Sequence, residues 1–542
     1  MITKQILKTR VSKVVLILTF CFLSNTCFAE ETAVSNNVVE LTKQIMDAKE
    51  IDSCFPKLEE LKNIYIKEGK YSEFVDFLKS LIAKKDAIAP YANYYIALSR
   101  FEHIVALEEK QDWNEYFSKV EEYRKDIIDY AQKAIDATTP QNSVNILSRL
   151  ILWEFHRQQQ DAFVEQSLAD LMNSVLEFGK DTTDTKTLKE VADKLLAADE
   201  KNKSRQVYKI YVEKISASQV KEKELKDIAF GFFNEGNLEL SEAVYDSYVE
   251  RITKSMSKTQ LKNSLLELAK LFSYKDSGNN DPIYAESIFK KAEDAFGKNF
   301  FNQETMYLRA FNLEKAKEFE GAKNVYIEFL NRFKDDVNFD KAAFKVGIIY
   351  AYVLKDIEKS KEYFENLAKK EKVSPQAISS LYQLGLLSQW GEDLDKAKEY
   401  YNNLLEKAGD DFAETVNLAK ERLSEIEQGK PMENNQKVFL DAALNKNNPA
   451  LDMKRLGLKV SPSEAKPGQS VSIKSAAYTP ESGCMQVEIQ YVWAGDLAGA
   501  KPANNSSSLD IAYPGAGTKV VCLVETSPSG VIDYNIDFAD IY

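Results

Sequence analysis

A three-residue pattern returns about every 37 positions through the middle of this 542-residue chain, and it constrains the fold more tightly than composition does. A small residue is followed twelve positions later by a second small residue, and four positions after that by an aromatic. The clear copies are Ala192/Ser204/Tyr208, Ala229/Ser241/Tyr245, Ala310/Ala322/Tyr326 and Gly385/Ala397/Tyr401. Ile348/Ser360/Phe364 is a further copy with Ile in the first place, and Ala269/Ala285/Phe289 is stretched by a Ser-Gly-Asn-Asn-Asp-Pro loop at Ser277 to Pro282. The second members, at 204, 241, 285, 322, 360 and 397, step by 37, 44, 37, 38 and 37. A period of this length marks stacked supersecondary units, each burying its apolar face on the next. The expected fold is mainly α, a helical solenoid.

The triplet has a physical cause: antiparallel helices approach closely only where side chains are small, and an aromatic fills the space between one pair and the next. In Glu304 to Lys334, Tyr307, Ala310, Phe311 and Leu313 stripe one helix; Lys317 to Gly321 turns the chain; Ala322, Val325, Tyr326, Phe329 and Leu330 stripe the second. The same grammar predicts a solenoid over 188–427. Upstream, residues 30–187 read as degenerate hairpins: Leu58 to Ile82 with Gly69 and Tyr71 at its turn, then helical apolar spacing over Tyr91 to Glu109, Trp113 to Ala137 and Val144 to Phe178.

The helical period stops near Gln428-Gly429-Lys430-Pro431, and 428–455 read as a linker carrying a short helix at Val438 to Leu444. From 456 to 542 the period becomes two. Val471/Ile473, Val487/Ile489/Tyr491/Trp493, Val520/Cys522/Val524 and Ile532/Tyr534/Ile536/Phe538 alternate between Pro- and Gly-bearing turns. This predicts a small antiparallel β-sandwich of half-buried strands.

The helical part resembles the tetratricopeptide repeat (TPR) family, in the longer-period form found in bacterial envelope proteins. The resemblance rests on Gly236-Asn237-Leu238 followed by Ser241 and Tyr245, and on Val325 to Phe329 followed by Arg332 to Asp336. It covers about 240 residues. Only Gly236 holds the family's turn glycine; Asp199, Lys317, Lys355 and Glu392 stand at the matching places. The stretch from Val460-Ser461-Pro462 to Ile473 is similar to the first strands of immunoglobulin-like modules of bacterial surface proteins. Together the resemblances imply a protein of the cell envelope with a role in outer-membrane assembly or wall synthesis.

Residues 1–29 carry Lys4, Lys8, Arg10 and Lys13 with no acid, then the apolar run Val14 to Leu23 and the small-residue site Cys27-Phe28-Ala29. They read as a secretory signal cleaved before Glu30. The run is shorter than the ~20 residues a membrane span needs, so no transmembrane anchor is expected after cleavage. The expected location is periplasmic or secreted. Lipid attachment at Cys27 is disfavoured because Thr26 is larger than the Gly, Ala or Ser that precedes a lipidated cysteine. Losing four positive charges takes the formal net charge from −13 to −17, which argues against nucleic acid as a partner.

In an oxidising compartment Cys484 and Cys522 are a candidate disulfide, the other reading being two buried thiols on separate strands. His103 and His156 lie far apart within helical segments and read as packing or surface residues. No zinc spacing, phosphate loop, dinucleotide fingerprint or nucleophile elbow is present, so no metal, no cofactor and no catalytic residue is expected, and the chain does not read as an enzyme.

Placing the first helices by their small residues turns Lys226, Phe230 and Phe233 inward, then Tyr307, Phe311 and Lys315, then Lys345, Ile349 and Tyr352, then Tyr382, Leu386 and Trp390. An aromatic groove edged with lysines suits a protein or peptide partner, since rigid rings bury area at low entropic cost. The expected function is an exported envelope scaffold acting by protein-protein interaction. The alternative is glycan binding by the β module, through Trp493, Tyr513 or the loop Asn504 to Ser508, with the solenoid as spacer.

Overall fold

A computed structural model describes residues 37–445, 457–475, 489–500, 506–527 and 532–542. The chain divides into two compact units, one up to Asp227 and one from Ile228 onward.

The first unit contains α1 (37–47), α2 (Phe55–Lys67), α3 (Tyr71–Lys84), α4 (Ala89–Glu109), α5 (Trp113–Asp136), α6 (Ser143–Gln159), α7 (Val164–Asp181), α8 (Thr185–Ala197) and α9 (Lys201–Ala217). From α2 these pair into antiparallel hairpins, α2/α3 through α8/α9. The run Val144 to Phe178 is such a hairpin: Gln160, in the left-handed region at φ 51°, ends α6, a break its apolar spacing conceals.

α10 (Glu222–Asn234) crosses the division. The second unit continues with α11 (Leu238–Ser255), α12 (Lys258–Phe272), α13 (Pro282–Phe296), α14 (Gln303–Lys315), α15 (Phe319–Arg332), α16 (Phe339–Ile348), α17 (Ile357–Ala368), α18 (Pro375–Trp390), α19 (Leu394–Lys407), α20 (Ala413–Glu427) and α21 (Asn434–Leu444). Side chains of Asn302, Ser374 and Asp393 cap the N-termini of α14, α18 and α19, satisfying amides that lack helical partners.

The triplet marks a close approach between the two helices of a hairpin. Its second member, Ser204 or Ser241, donates its hydroxyl at 2.8 Å to the carbonyl of the first member, Ala192 or Ala229. Its aromatic lies over the first helix: a Cβ on Gly385 would overlap the Tyr401 ring. In the following repeat type the expectation needs correction, because the small residue is Gly347, not Ile348. A Cβ on Gly347 would overlap the Phe364 ring, and a π-helical turn at Ile349–Val353 takes up the extra residue. The carbonyl ladder is displaced there, and the buried Ser360 hydroxyl has no hydrogen-bond partner among the described residues.

The turns obey one backbone rule whatever residue occupies them. Gly236 has φ 77°, and Asp199, Lys317, Lys355 and Glu392 adopt φ of 63°, 61°, 57° and 63°. A left-handed residue closes every one of these hairpins, although a side chain there costs roughly 1–2 kcal/mol.

The β module has a three-stranded sheet, in the order β1 (Lys459–Ser461), β3 (Ser470–Lys474), β5 (Ser508–Ala512), and a four-stranded one. The second orders β2 (Glu464–Ala465), β7 (Ile532–Ile541), β6 (Gly517–Thr526) and β4 (Gln490–Gly495). All pairs are antiparallel except β2 with β7, so the sandwich is mixed at one edge. Val460, Val471, Ile473, Trp493, Val521, Leu523 and Ile541 form its core between the sheets. The alternating set Val520/Cys522/Val524 and Tyr534/Ile536/Phe538 lies on the other face of β6 and β7. It is buried too, because that face packs on the helices of the same unit, so these strands are buried on both sides, not on one.

The candidate Cys484–Cys522 bridge falls partly outside the described residues, since Cys484 is not among them. Cys522 is a buried free thiol whose pKa burial pushes well up. The linker residues 446–455 and the strand residue Val487 also lie outside them, whereas α21 covers the short helix expected at Val438 to Leu444.

Candidate functional site

The structure distributes the twelve inward-facing residues unevenly, with Ile349 and Leu386 buried in the core. Lys226 is exposed, and Phe230 is 45% exposed and stacks on Phe233, which is itself buried edge-on against Phe272 at 5.0 Å. The others are engaged within the chain. Tyr307 meets Tyr326 and Phe329 at 5.7 Å, and Phe311 meets Tyr274 at 5.9 Å. Tyr352 is buried, its hydroxyl bonded to Gln383 and its carbonyl accepting from the Tyr534 hydroxyl at 2.7 Å. Tyr382 is buried against Tyr401, and Trp390 Nε1 donates to Asp441 at 3.0 Å. The groove predicted from Tyr307 to Trp390 is therefore not open: helix α21 and strands β6 and β7 fill it, Phe439 packing between Tyr352 at 5.2 Å and Tyr534 at 6.2 Å.

Two of the lysines that edged the groove, Lys315 and Lys345, serve this internal docking together with the turn residue Lys317. Lys315 and Lys317 each hold Asp537 at 2.9 Å, and Lys345 holds Asp540 at 2.9 Å and Glu314 at 3.0 Å. Three ammonium groups thus meet three carboxylates. Tyr326 donates to Glu314 at 2.8 Å and Thr518 to Asp540 at 2.6 Å, so the carboxylates are hydrogen-bonded as well as paired. Burial opposes charge on Lys345, but Asp540 and Glu314 outweigh it and hold the ammonium well above the ordinary lysine range. Burial likewise opposes charge on Asp537, and Lys315 with Lys317 overcomes it, pulling the carboxyl to about 2. Lys317 itself is lowered, since burial and the neighbouring Lys315 charge outweigh Asp537. Asp537 stays ionised regardless, with two cations within contact.

Aromatic candidates in the β module are also internal. Trp493 is in the sandwich core with Nε1 donating to the Ser506 carbonyl at 2.8 Å, and the buried Tyr513 donates to the Asp496 carbonyl at 2.8 Å. Asn504 and Asn505 lie outside the described residues. His103 stacks on Tyr71 at 4.3 Å, and His156 Nδ1 pairs with Asp161 at 2.8 Å. Among the described residues no group of His, Cys, Asp and Glu is placed to hold a metal ion, and no helix is long and apolar enough to cross a membrane.

In the first unit the same face, made by first helices α2, α4, α6 and α8, is an open cleft of about 770 Å³. Tyr94, Tyr95, Leu98 and Phe101 of α4 form its floor. Its walls carry Glu59 and Lys62 from α2, Glu154 from α6, and Lys186, Glu190 and Lys194 from α8. Lys62 pairs with Glu102 at 2.9 Å and Glu59 at 3.3 Å; these carboxylates outweigh burial and raise its pKa. Lys194 pairs with Glu154 at 3.0 Å. Glu190 is raised, first by burial and then by Glu59 and Glu154, against the pull of Lys186 and Lys194. Sequence reasoning missed this cleft because it followed the triplet, which fades over α4 to α7. The carboxylates recurring on successive first helices were the available signal.

No protein-family model matches the chain, and no curated protein matches it. Solved structures similar to it include these three. One is Naa15/Naa10 bound to HypK-THB, at 12% identity over 70% of this chain and 71% of that one, TM-score 0.21. Another is the APC/C hetero-tetramer Cut9-Hcn1, at 13% identity over 77% and 94%, TM-score 0.21. The third is the P58(IPK) TPR domain, at 14% identity over 72% and 99%, TM-score 0.16. Scores this low establish no common overall arrangement. The class the chain shows by its own geometry is an α-solenoid of helical hairpins with a small β module docked on its later repeats.

Proposed function

We propose that this chain is an exported, non-catalytic scaffold of the cell envelope that holds a protein partner in the α2/α4/α6/α8 cleft. The observation that carries this is the contrast between two equivalent faces. The first helices of the later hairpins are covered by the chain's own β module, whereas those of the first unit leave a cleft of about 770 Å³, within the roughly 300–1,000 Å³ of binding sites. The charged, apolar-flanked start of the chain supports export, and with Glu30 as first residue the mass of the mature protein tests it. The glycan-binding alternative is weaker because Trp493 and Tyr513 are committed to the module's interior.

Ala106 lines the cleft and is only half-buried, so Ala106→Trp plugs it with little cost to the helix. Crosslinked pull-down from the envelope fraction should lose its captured protein with this variant. Capture unchanged by the plug would sink the docking reading.

A further inference from the structure

Taking that cleft as the docking site, we infer that its occupant is an extended segment of a partner protein bearing at least two Lys or Arg side chains. The charge balance is the first argument. Six carboxylates line the cleft and only three ammonium groups, an excess of three negative charges. Lys62 and Lys194 are already consumed by Glu102 and Glu154. Glu109 and Glu190 make no ion pair among the described residues, and the half-buried Glu190 is held against its own desolvation, which an incoming cation would relieve.

Tyr94 supplies a second, independent observation. It is 5% exposed and lines the cleft, and its hydroxyl makes no hydrogen bond among the described residues. Its ring is fixed by Phe55 at 5.9 Å and Tyr95 at 4.9 Å, and the carboxylates of Glu190, Glu59, Glu102 and Glu154 line the same cleft. A phenol hydroxyl that opens on the cleft and bonds no protein group among the described residues can accept from an incoming N–H donor. The apolar floor of Leu98 and Phe101 suits the methylene stems of Lys and Arg, whose heads then reach the acidic walls. A neutral or acidic segment could use the floor but would leave the walls unpaired.

The test uses the full mature chain and a fluorescein-labelled heptapeptide of alternating Ala and Lys or Arg, read by anisotropy, beside its Glu/Asp counterpart. The cationic peptide should bind, more weakly as salt rises, and the acidic one should not. Glu190→Gln with Glu59→Gln should weaken binding about tenfold at unchanged helical circular dichroism. Lys186→Glu, which adds negative charge, should strengthen binding. Equal binding of both peptides, or affinities unmoved by all three substitutions, overturns the assignment. A partner that Ala106→Trp displaces, but for which the cationic peptide does not compete, overturns the charge class while leaving the docking reading standing. A partner indifferent to Ala106→Trp removes both.

Discussion

Lys345 and Asp540, 195 residues apart in the chain, form a 2.9 Å ion pair whose side chains are 0% and 1% exposed. Glu314 completes the group from the neighbouring hairpin at 3.0 Å. The pair joins helix α16 of the solenoid to strand β7 of the β module, so the two folds share one buried electrostatic core.

Lys345→Met leaves Glu314 and Asp540 buried without their cation and should destabilise the protein by about 3–5 kcal/mol. The urea midpoint measures it. Adding Glu314→Gln and Asp540→Asn to the same variant should recover most of the loss. A single-variant cost below about 1 kcal/mol would mean that water reaches the pair.

Asp537 gives the docking an acid limit. Its folded pKa of about 2 lies below the ordinary 3.8, so its contribution is full above the ordinary value and is lost as pH falls through the folded one. The shift corresponds to about 2 kcal/mol. Thermal unfolding from about pH 5 down to about pH 2 should therefore fall more steeply in the native protein than in Asp537→Asn. Parallel curves would refute the assignment.

Two of the three buried triplet serines, Ser241 and Ser360, should respond differently to the same substitution. Ser241→Ala deletes a hydroxyl that bonds the Ala229 carbonyl at 2.8 Å and should cost about 1 kcal/mol. Ser360→Ala deletes a buried hydroxyl without a partner among the described residues and should be neutral or stabilising. Equal costs, read from urea midpoints, would contradict the π-turn displacement.

Glu392→Gly should stabilise by about 0.5–1 kcal/mol, because removing the Cβ at a left-handed position outweighs the added freedom of the unfolded chain. Glu392 is exposed, with φ 63°. At Lys317, also left-handed, the same change should destabilise, since its ammonium holds Asp537 at 2.9 Å. Two losses, or two gains, would show that backbone strain and ion pairing are misassigned at these turns.

The hairpins, the strands β3, β4, β6 and β7 and the turn positions were legible because each depends on neighbours close in sequence, whereas β2 and β5 were not read. Small residues twelve apart meet across one turn, and alternation marks a strand wherever it lies. The Ile348 register was misread for a local reason: a π-turn inserts one residue without breaking helical spacing. The destination of the groove was illegible for a different one. Alternation at Val520/Cys522/Val524 says that one face of β6 is apolar, not what covers it, and both faces proved to be covered.

By itself the sequence determined that the chain stacks helical hairpins at a 37-residue period and ends in β structure, since close helix approach demands small residues at repeating intervals. Only the tertiary structure decided which inward face remains open. Asp537 and Asp540 read as ordinary acidic residues near the end of the chain until β7 docks, Lys315 and Lys345 read as the rim of a partner groove, and Lys317 as a turn residue. Their pairing is set by contacts some 200 residues apart, which local pattern does not encode; that long-range pairing closes one groove, while the first-helix face of the first unit keeps a cleft among the described residues.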